Sequence, residues 1–371
     1  MVPRHGQVPY LLAGAFHHMA YLEWGDPTAP VVVCVHGLTR NAHDFDPLAR
    51  DLARDFRVIC PDLPGRGASV WLPDPALYQP LNYVQALSHL LAAIGKPVSW
   101  VGTSLGGICG MAIAAAPGNP IRRMVLNDIG PFIPQAAVAA IGNRIAQVPD
   151  FGDMREAEAF IRMAHASFGK LTDAQWAHMT RHSMRKLPNG RLAVHYDPGI
   201  TTAMLSTPPA DVDLWEMWDR ISVPVFVVRG AASELLLPET LARMEERGAR
   251  SLVVPECGHA PALMDESTIE AVRTFLLPDR SVTGARFNDA ECVNDIIAKV
   301  AREQRGNVKR LSQSTDIPHT TIRSWLEKKA DGSYRRGPDD RLLRLMTVND
   351  DILTGVLALV HKQRALGRNK R

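Results

Sequence analysis

The chain has 371 residues, 46% of them hydrophobic, and a formal net charge of +3. The apolar share is ample for a sizeable core, and the length exceeds the usual domain of about 100 to 200 residues, so a main domain with an appendage is expected. No run of about 18 apolar residues and no charged segment followed by an apolar signal region is found, which argues against a membrane partner and makes the cytoplasm the expected location.

In chain order, the first buried strand reads Val31-Val32-Val33-Cys34-Val35 and runs into His36-Gly37-Leu38-Thr39-Arg40. A second strand, Phe56 to Cys60, breaks into the turn Pro61-Asp62-Leu63-Pro64-Gly65-Arg66-Gly67. The apolar run Pro97-Val98-Ser99-Trp100 then leads into Val101-Gly102-Thr103-Ser104-Leu105-Gly106-Gly107. A serine with small residues at minus two and plus two, between a strand and the helix expected from Leu105 to Ala115, is the pattern of a nucleophile elbow. Side chains at Gly102 and Gly106 would collide in so sharp a turn, and the helix N-terminus would aim free N–H groups at the reacting centre.

Further strands are expected at Arg123 to Asn127, Val223 to Val228 and Ser251 to Val254. Between the first two lie about 90 residues without a strong strand signal, with helical stretches near 134–147, 154–168 and 172–185 and a turn at Leu187-Pro188-Asn189-Gly190. After the last strand comes Cys257-Gly258-His259-Ala260-Pro261, followed by a helical run from Ser267 to Leu277. The alternation of strands and helices predicts an α/β fold with a mostly parallel central sheet.

A serine hydroxyl is a poor nucleophile until a base removes its proton, and His259 is the expected base among 13 histidines, because it alone follows a terminal strand with glycine before it and a helix after it. The five cysteines, Cys34, Cys60, Cys109, Cys257 and Cys292, are odd in number and contain no C-x-x-C pair, so neither a disulfide framework nor a zinc site is indicated. No metal and no cofactor are expected. Cys257, two residues from His259, is read as a packed thiol.

With the strand ending in His36-Gly37 about 65 residues before Ser104 and His259 after the terminal strand, the chain resembles the α/β-hydrolase superfamily, specifically its small bacterial esterase-like branch, over about residues 10–278. The resemblance implies a hydrolase core at 1–131 and 221–280, interrupted by a helical cap at 132–220 that shapes the substrate pocket. It places the oxyanion donors at the backbone N–H groups of Leu38 and Leu105. It also puts a carboxylate on the loop after the penultimate strand, where Arg229-Gly230-Ala231-Ala232-Ser233-Glu234 carries glutamate in place of the more usual aspartate. Glu234 is therefore the expected acid, with Asp128, directly after the preceding strand, as the alternative. In the cap and near the site mouth, Arg40, His195 and Trp215 are candidate substrate-binding residues, although Arg40 reads more readily as a surface arginine and the aromatic residues as packing. Serine at the elbow argues against the relatives that use aspartate there, haloalkane dehalogenases and epoxide hydrolases. Cleavage of a small carboxylic ester through an acyl-serine is the favoured activity. Thioester hydrolysis and carbon–carbon bond cleavage use the same machinery and stay open.

Residues 281–371 carry 18 Lys/Arg against 11 Asp/Glu, whereas 1–280 carry 24 against 28. This basic segment is expected to be an all-helical module. Within 307–330, Ser312, Asp316, Ile317, Ile322 and Trp325 resemble the small, turning and apolar positions of a helix-turn-helix. If that resemblance holds, Thr320, Thr321, Arg323 and Ser324 would face bases, Lys328 would meet phosphate, and DNA would be a partner. The alternatives are a helical extension packed on the hydrolase, a homodimer contact, or a ligand-sensing regulator in which the hydrolase fold serves as the sensor.

Overall fold

The structure, a computed structural model, describes residues 2–145 and 149–277. The unit Met1–Leu276 opens with an antiparallel pair, β1 (Arg4–Leu12) and β2 (Ala15–Trp24). Then follow β3 (Val31–Val35), α1 (Asp46–Leu52), β4 (Arg57–Pro61), α2 (Pro80–Ile94), β5 (Val98–Thr103), α3 (Leu105–Ala114) and β6 (Ile121–Asn127). The insertion comprises β7 (Phe132–Ile133), α4 (Gln135–Ile145), α5 (Met154–Ala164), α6 (Asp173–Ser183), β8 (Met184–Lys186), β9 (Leu192–Val194), α7 (Gly199–Leu205), β10 (Val212–Asp213) and α8 (Trp215–Trp218). The chain then returns to the core with β11 (Val225–Gly230), α9 (Pro238–Glu246), β12 (Arg250–Val254) and α10 (Glu266–Leu276).

Eight strands form one sheet in the order β1-β2-β4-β3-β5-β6-β11-β12. From β4 to β12 every neighbouring pair is parallel, and β2 joins β4 antiparallel. The five residues of β3 are all buried, as expected of a strand covered on both faces. The sheet order makes β6 and β11 neighbours, so the loops that leave their C-terminal ends lie side by side.

The β1–β2 hairpin is absent from the sequence expectation, which places the first strand at Val31. Its inward residues Val8, Tyr10 and Leu12 do alternate, but its first four residues, Arg4 to Gln7, are polar or glycine. The turn uses Ala13 (φ 49°) and Gly14 (φ 79°) where Asn-Gly or Asp-Gly would have announced a two-residue hairpin. In the insertion, the helix expected near 172–185 ends at Ser183, and Met184–Lys186 pairs with Leu192–Val194 across the predicted turn.

Trp100 on β5 is fully buried, and its indole N–H donates to the Gly106 carbonyl at 3.0 Å. A Cβ at Gly110, one helical turn after Gly106, would run into that indole, so the small residues of α3 let the helix lie close on the sheet. The insertion has its own apolar cluster of Phe151, Ala157, Ile161, Trp176, Met179 and Met184, which also takes in Met264 from the segment after His259. Among the described residues no helix is long and apolar enough to cross a membrane. The helix-turn-helix expectation, including Thr320, Thr321, Arg323, Ser324 and Lys328, lies outside the described residues.

Candidate active site

Ser104 joins β5 to α3 with φ 49° and ψ −114°, a backbone conformation that costs a non-glycine residue about 1 to 3 kcal/mol. The turn is held by the Ser104 N–H donating to the Asn127 carbonyl at 3.1 Å. A Cβ at Gly102 would lie 2.5 Å from the carbonyl of Gly106, and one at Gly106 would run into the Val35 carbonyl, so both glycines are sterically required. The amide of Leu105, at the first position of α3, is one of those a helix leaves without an intrahelical acceptor.

His259 Nε2 lies 3.0 Å from Ser104 Oγ, and His259 Nδ1 lies 2.8 Å from Asp128 Oδ2. An ionised carboxylate only accepts, so Nδ1 carries the proton, and Nε2 presents its lone pair to the serine hydroxyl. Asp128 is fully buried and left-handed at φ 54°, and its N–H donates to the Val228 carbonyl at 2.7 Å, which ties the end of β6 to β11. Its carboxylate also accepts from the Gly230 N–H at 2.8 Å and the Ser233 hydroxyl at 2.6 Å.

The expectation for Glu234 is corrected by this arrangement. Glu234 is exposed, and Asp128 occupies the position beside His259. The reason lies in the buried Arg229, whose guanidinium donates to the carbonyls of Leu236 at 2.7 Å, Ser233 at 3.2 Å and Ala231 at 3.2 Å. The loop wraps around this side chain with Ser233 turned inward and Glu234 outward.

On the other side of Ser104 stands the loop after β3. A Cβ at Gly37 would lie 3.7 Å from that of Ser104, so the chain passes directly beside the nucleophile. His36 is fully buried, accepts at Nε2 from the Leu63 N–H at 2.9 Å, and therefore donates from Nδ1 to the Gly37 carbonyl at 2.7 Å. Burial pushes its pKa down to about 3 against the opposing pull of the Gly37 carbonyl, so the ring is neutral at pH 7. Arg66, fully buried, donates from Nε to the Leu38 carbonyl at 2.8 Å and from Nη1 to the Pro64 carbonyl at 2.7 Å, with its guanidinium over the Tyr83 ring at 4.7 Å. His36 thus holds the peptide unit that carries the Leu38 N–H, and Arg66 holds the one that follows it. Nothing in the sequence marks Arg66 as a site residue beyond its place between Gly65 and Gly67.

The insertion reaches the same centre through Ser167. Its hydroxyl donates to the His259 carbonyl at 2.7 Å, and its own carbonyl accepts from the Gly258 N–H at 2.7 Å. The Cys257 thiol points at the Ser167 carbonyl at 3.3 Å; burial first, then the Asp128 and Asp265 charges, push its pKa up to about 12, as befits a packed thiol.

Arg40 is not a surface arginine. It is 5% exposed and makes a two-pronged pair with Asp44 at 2.6 and 2.8 Å, with Nη1 donating to Ser183 Oγ at 2.8 Å. Its charge is already matched by Asp44. Trp215 packs in the core against Trp218, with the Arg243 guanidinium 3.8 Å from its ring centre. His195 lines a cavity of about 590 Å³ to which Ser104, His259 and Asp128 do not contribute. A smaller space of about 40 Å³ begins at Thr39, next to Leu38, and is bounded by Phe160, Ile161, Val194, Tyr196, His165 and Arg144. Burial holds His165 well below the usual imidazole pKa, and the Arg40 and Arg144 charges push it the same way.

Residues 32–273 match the model of the alpha/beta hydrolase family. The chain belongs to this family. It is 40% identical over 285 residues to a 3-hydroxybutyrate-oligomer hydrolase of Cupriavidus necator, covering 74% of this chain and 97% of that protein. It is 27% identical to an esterase of Mycobacterium tuberculosis over 73% of this chain and 89% of the relative. Among solved structures, an alpha/beta hydrolase from Novosphingobium aromaticivorans superposes with a TM-score of 0.67 at 34% identity, covering 74% of this chain and 99% of the other. This α/β-hydrolase is thus similar over about three quarters of its length to proteins named as hydrolases and esterases.

Proposed function

We propose that this α/β-hydrolase cleaves a carboxylic ester through an acyl intermediate on Ser104. The observation that carries the reading is the unbroken series from Asp128 through His259 to Ser104, at 2.8 and 3.0 Å. Ser104 Oγ attacks the ester carbonyl as its proton passes to His259 Nε2, and buried Asp128 stabilises the imidazolium that forms. The oxyanion is received by the N–H groups of Leu38 and Leu105. Collapse expels the alcohol with the proton from His259. Water then attacks the acyl-serine, gives its proton to His259, and leaves the carboxylic acid and a restored Ser104. No cofactor enters any step.

We read residues 132–220 as the cap over this centre, which Ser167 pins to the His259 loop. The Cupriavidus relative acts on an oligomer whose units are joined by esters, and an oligomer of a hydroxy acid also carries a free carboxylate. Short hydroxy-acid esters are therefore the substrate class, with Arg144 beside the cavity that starts at Thr39 as the partner for that terminal carboxylate. The test is hydrolysis of nitrophenyl esters of rising acyl length together with the dimer and trimer of 3-hydroxybutyrate. Turnover that falls with acyl length and disappears in Ser104→Ala supports the reading; turnover retained by Ser104→Ala overturns it.

A further inference from the structure

Away from Ser104, the chain brings four metal-ligating side chains into one cluster. His43 lies in the 3₁₀ turn Ala42–Phe45 that leads into α1, whose first residue is Asp46, and His178 and His182 are four apart on one face of α6. The imidazoles of His43 and His182 stack with centroids 3.7 Å apart, and that of His178 lies 4.6 Å from His182.

We propose that His43, Asp46 and His182 form a binding site for a divalent transition-metal cation of the zinc type, bridging the insertion and the α/β core. One donor atom from each of the three residues lies within 4.8 Å of the other two. A tetrahedral zinc site with bonds of about 2.0 to 2.1 Å needs its donors about 3.4 Å apart, which small side-chain rotations supply. Asp46 adds an independent observation. It is 6% exposed, and its Oδ1 is buried without a hydrogen-bond partner. Its Oδ2 accepts from His43 Nδ1 at 2.9 Å and lies 3.4 Å from His178 Nε2. A buried carboxylate oxygen with no donor is a costly arrangement that a cation relieves.

The neighbouring arginine does not serve as that cation, because Arg40 is paired with Asp44. An imidazole-rich donor set selects zinc, cobalt, nickel or copper over magnesium and calcium, which prefer oxygen. An entry path exists, since His43 and His182 both line the cavity of about 590 Å³ together with His195 and Asp62. His43 and Asp46 belong to the core and His182 to the insertion, where Asn41 Nδ2 already donates to the His182 carbonyl at 2.8 Å. A cation bound here is a staple across that seam.

The experiment is calorimetric titration of the chelator-treated full chain with Zn²⁺, supported by the visible spectrum of Co²⁺. One equivalent is expected to bind at micromolar concentration or tighter, and Tm is expected to rise by roughly 5 °C at a hundredfold excess over Kd. His182→Gln and Asp46→Asn are each expected to weaken binding at least about 100-fold, whereas His18→Gln, an exposed histidine on β2, leaves it unchanged. No uptake by the wild type, or wild-type affinity in both variants, overturns the proposal. If those variants fail to fold, an anomalous-scattering map of Co²⁺-soaked wild-type crystals decides: a peak between His43, Asp46 and His182 supports the site, and a peak elsewhere or none refutes it. Ester turnover by the chelated enzyme is expected to persist, so failure of this site leaves the reading of Ser104 standing.

Discussion

The Ser233 hydroxyl donates to the Asp128 carboxylate at 2.6 Å, joining the loop after β11 to the residue after β6. The loop where an acid is expected from sequence has thus become a donor to an acid placed one strand away. Because β6 and β11 are adjacent and parallel, the loops that leave their C-terminal ends stand side by side.

This arrangement separates two variants. Asp128→Asn is expected to lower kcat on a nitrophenyl ester by about 10⁴, because the amide no longer fixes the tautomer that leaves Nε2 free. Glu234→Gln is expected to stay within about twofold of wild type, since the side chain is exposed. Steady-state kinetics of the purified variants check both, and a large loss in Glu234→Gln would restore the acid to the β11 loop.

The contrast also shows what a sequence reveals of this site. The elbow was legible because its requirement is local: Gly102 and Gly106 are forced by backbone atoms a few residues away or on the next strand. His259 was legible from its place after the terminal strand. The choice between Glu234 and Asp128 was not, since it turns on how Arg229 packs inside its own loop. Arg40 misled for a similar reason. Its carboxylate partner is four residues away, but Ser183, which completes its burial, is 143 residues away. The first hairpin escaped notice because Ala13-Gly14 makes a tight turn without the usual turn residues.

Under the proposed oxyanion role of the Leu38 amide, Arg66 acts as a positioning residue through its bond to the Leu38 carbonyl. Arg66→Met is expected to lower kcat by about 10- to 100-fold with KM little changed, because the oxyanion donor acts chiefly in the transition state. A rise in KM at unchanged kcat would instead assign Arg66 to substrate binding.

Arg144 is expected to show the opposite split. Arg144→Gln should raise KM for 3-hydroxybutyrate oligomers by about tenfold, the loss of one charge-assisted contact, and leave neutral nitrophenyl esters unaffected. Equal effects on both substrate types would show that Arg144 does not meet the terminal carboxylate.

Buried, neutral His36 sets an acid limit. Its folded-state pKa lies below that of the unfolded chain, so the unfolded state binds the proton first as pH falls through 6.5 toward about 3. The stability from its neutral burial is fully present above 6.5 and is lost across that window at up to about 1.4 kcal/mol per pH unit. Urea unfolding at about pH 7 and about pH 5 is expected to show a loss about 2 kcal/mol larger in wild type than in His36→Gln. Parallel pH profiles would show that His36 is not the titrating group.

Covalent labelling tests most directly whether Ser104 is an activated nucleophile. A fluorophosphonate probe with mass-spectrometric mapping is expected to place one adduct per chain on Ser104 and none on Ser104→Ala. A wild-type protein that takes up no probe, or carries it on another residue, would contradict the role of Ser104 as nucleophile.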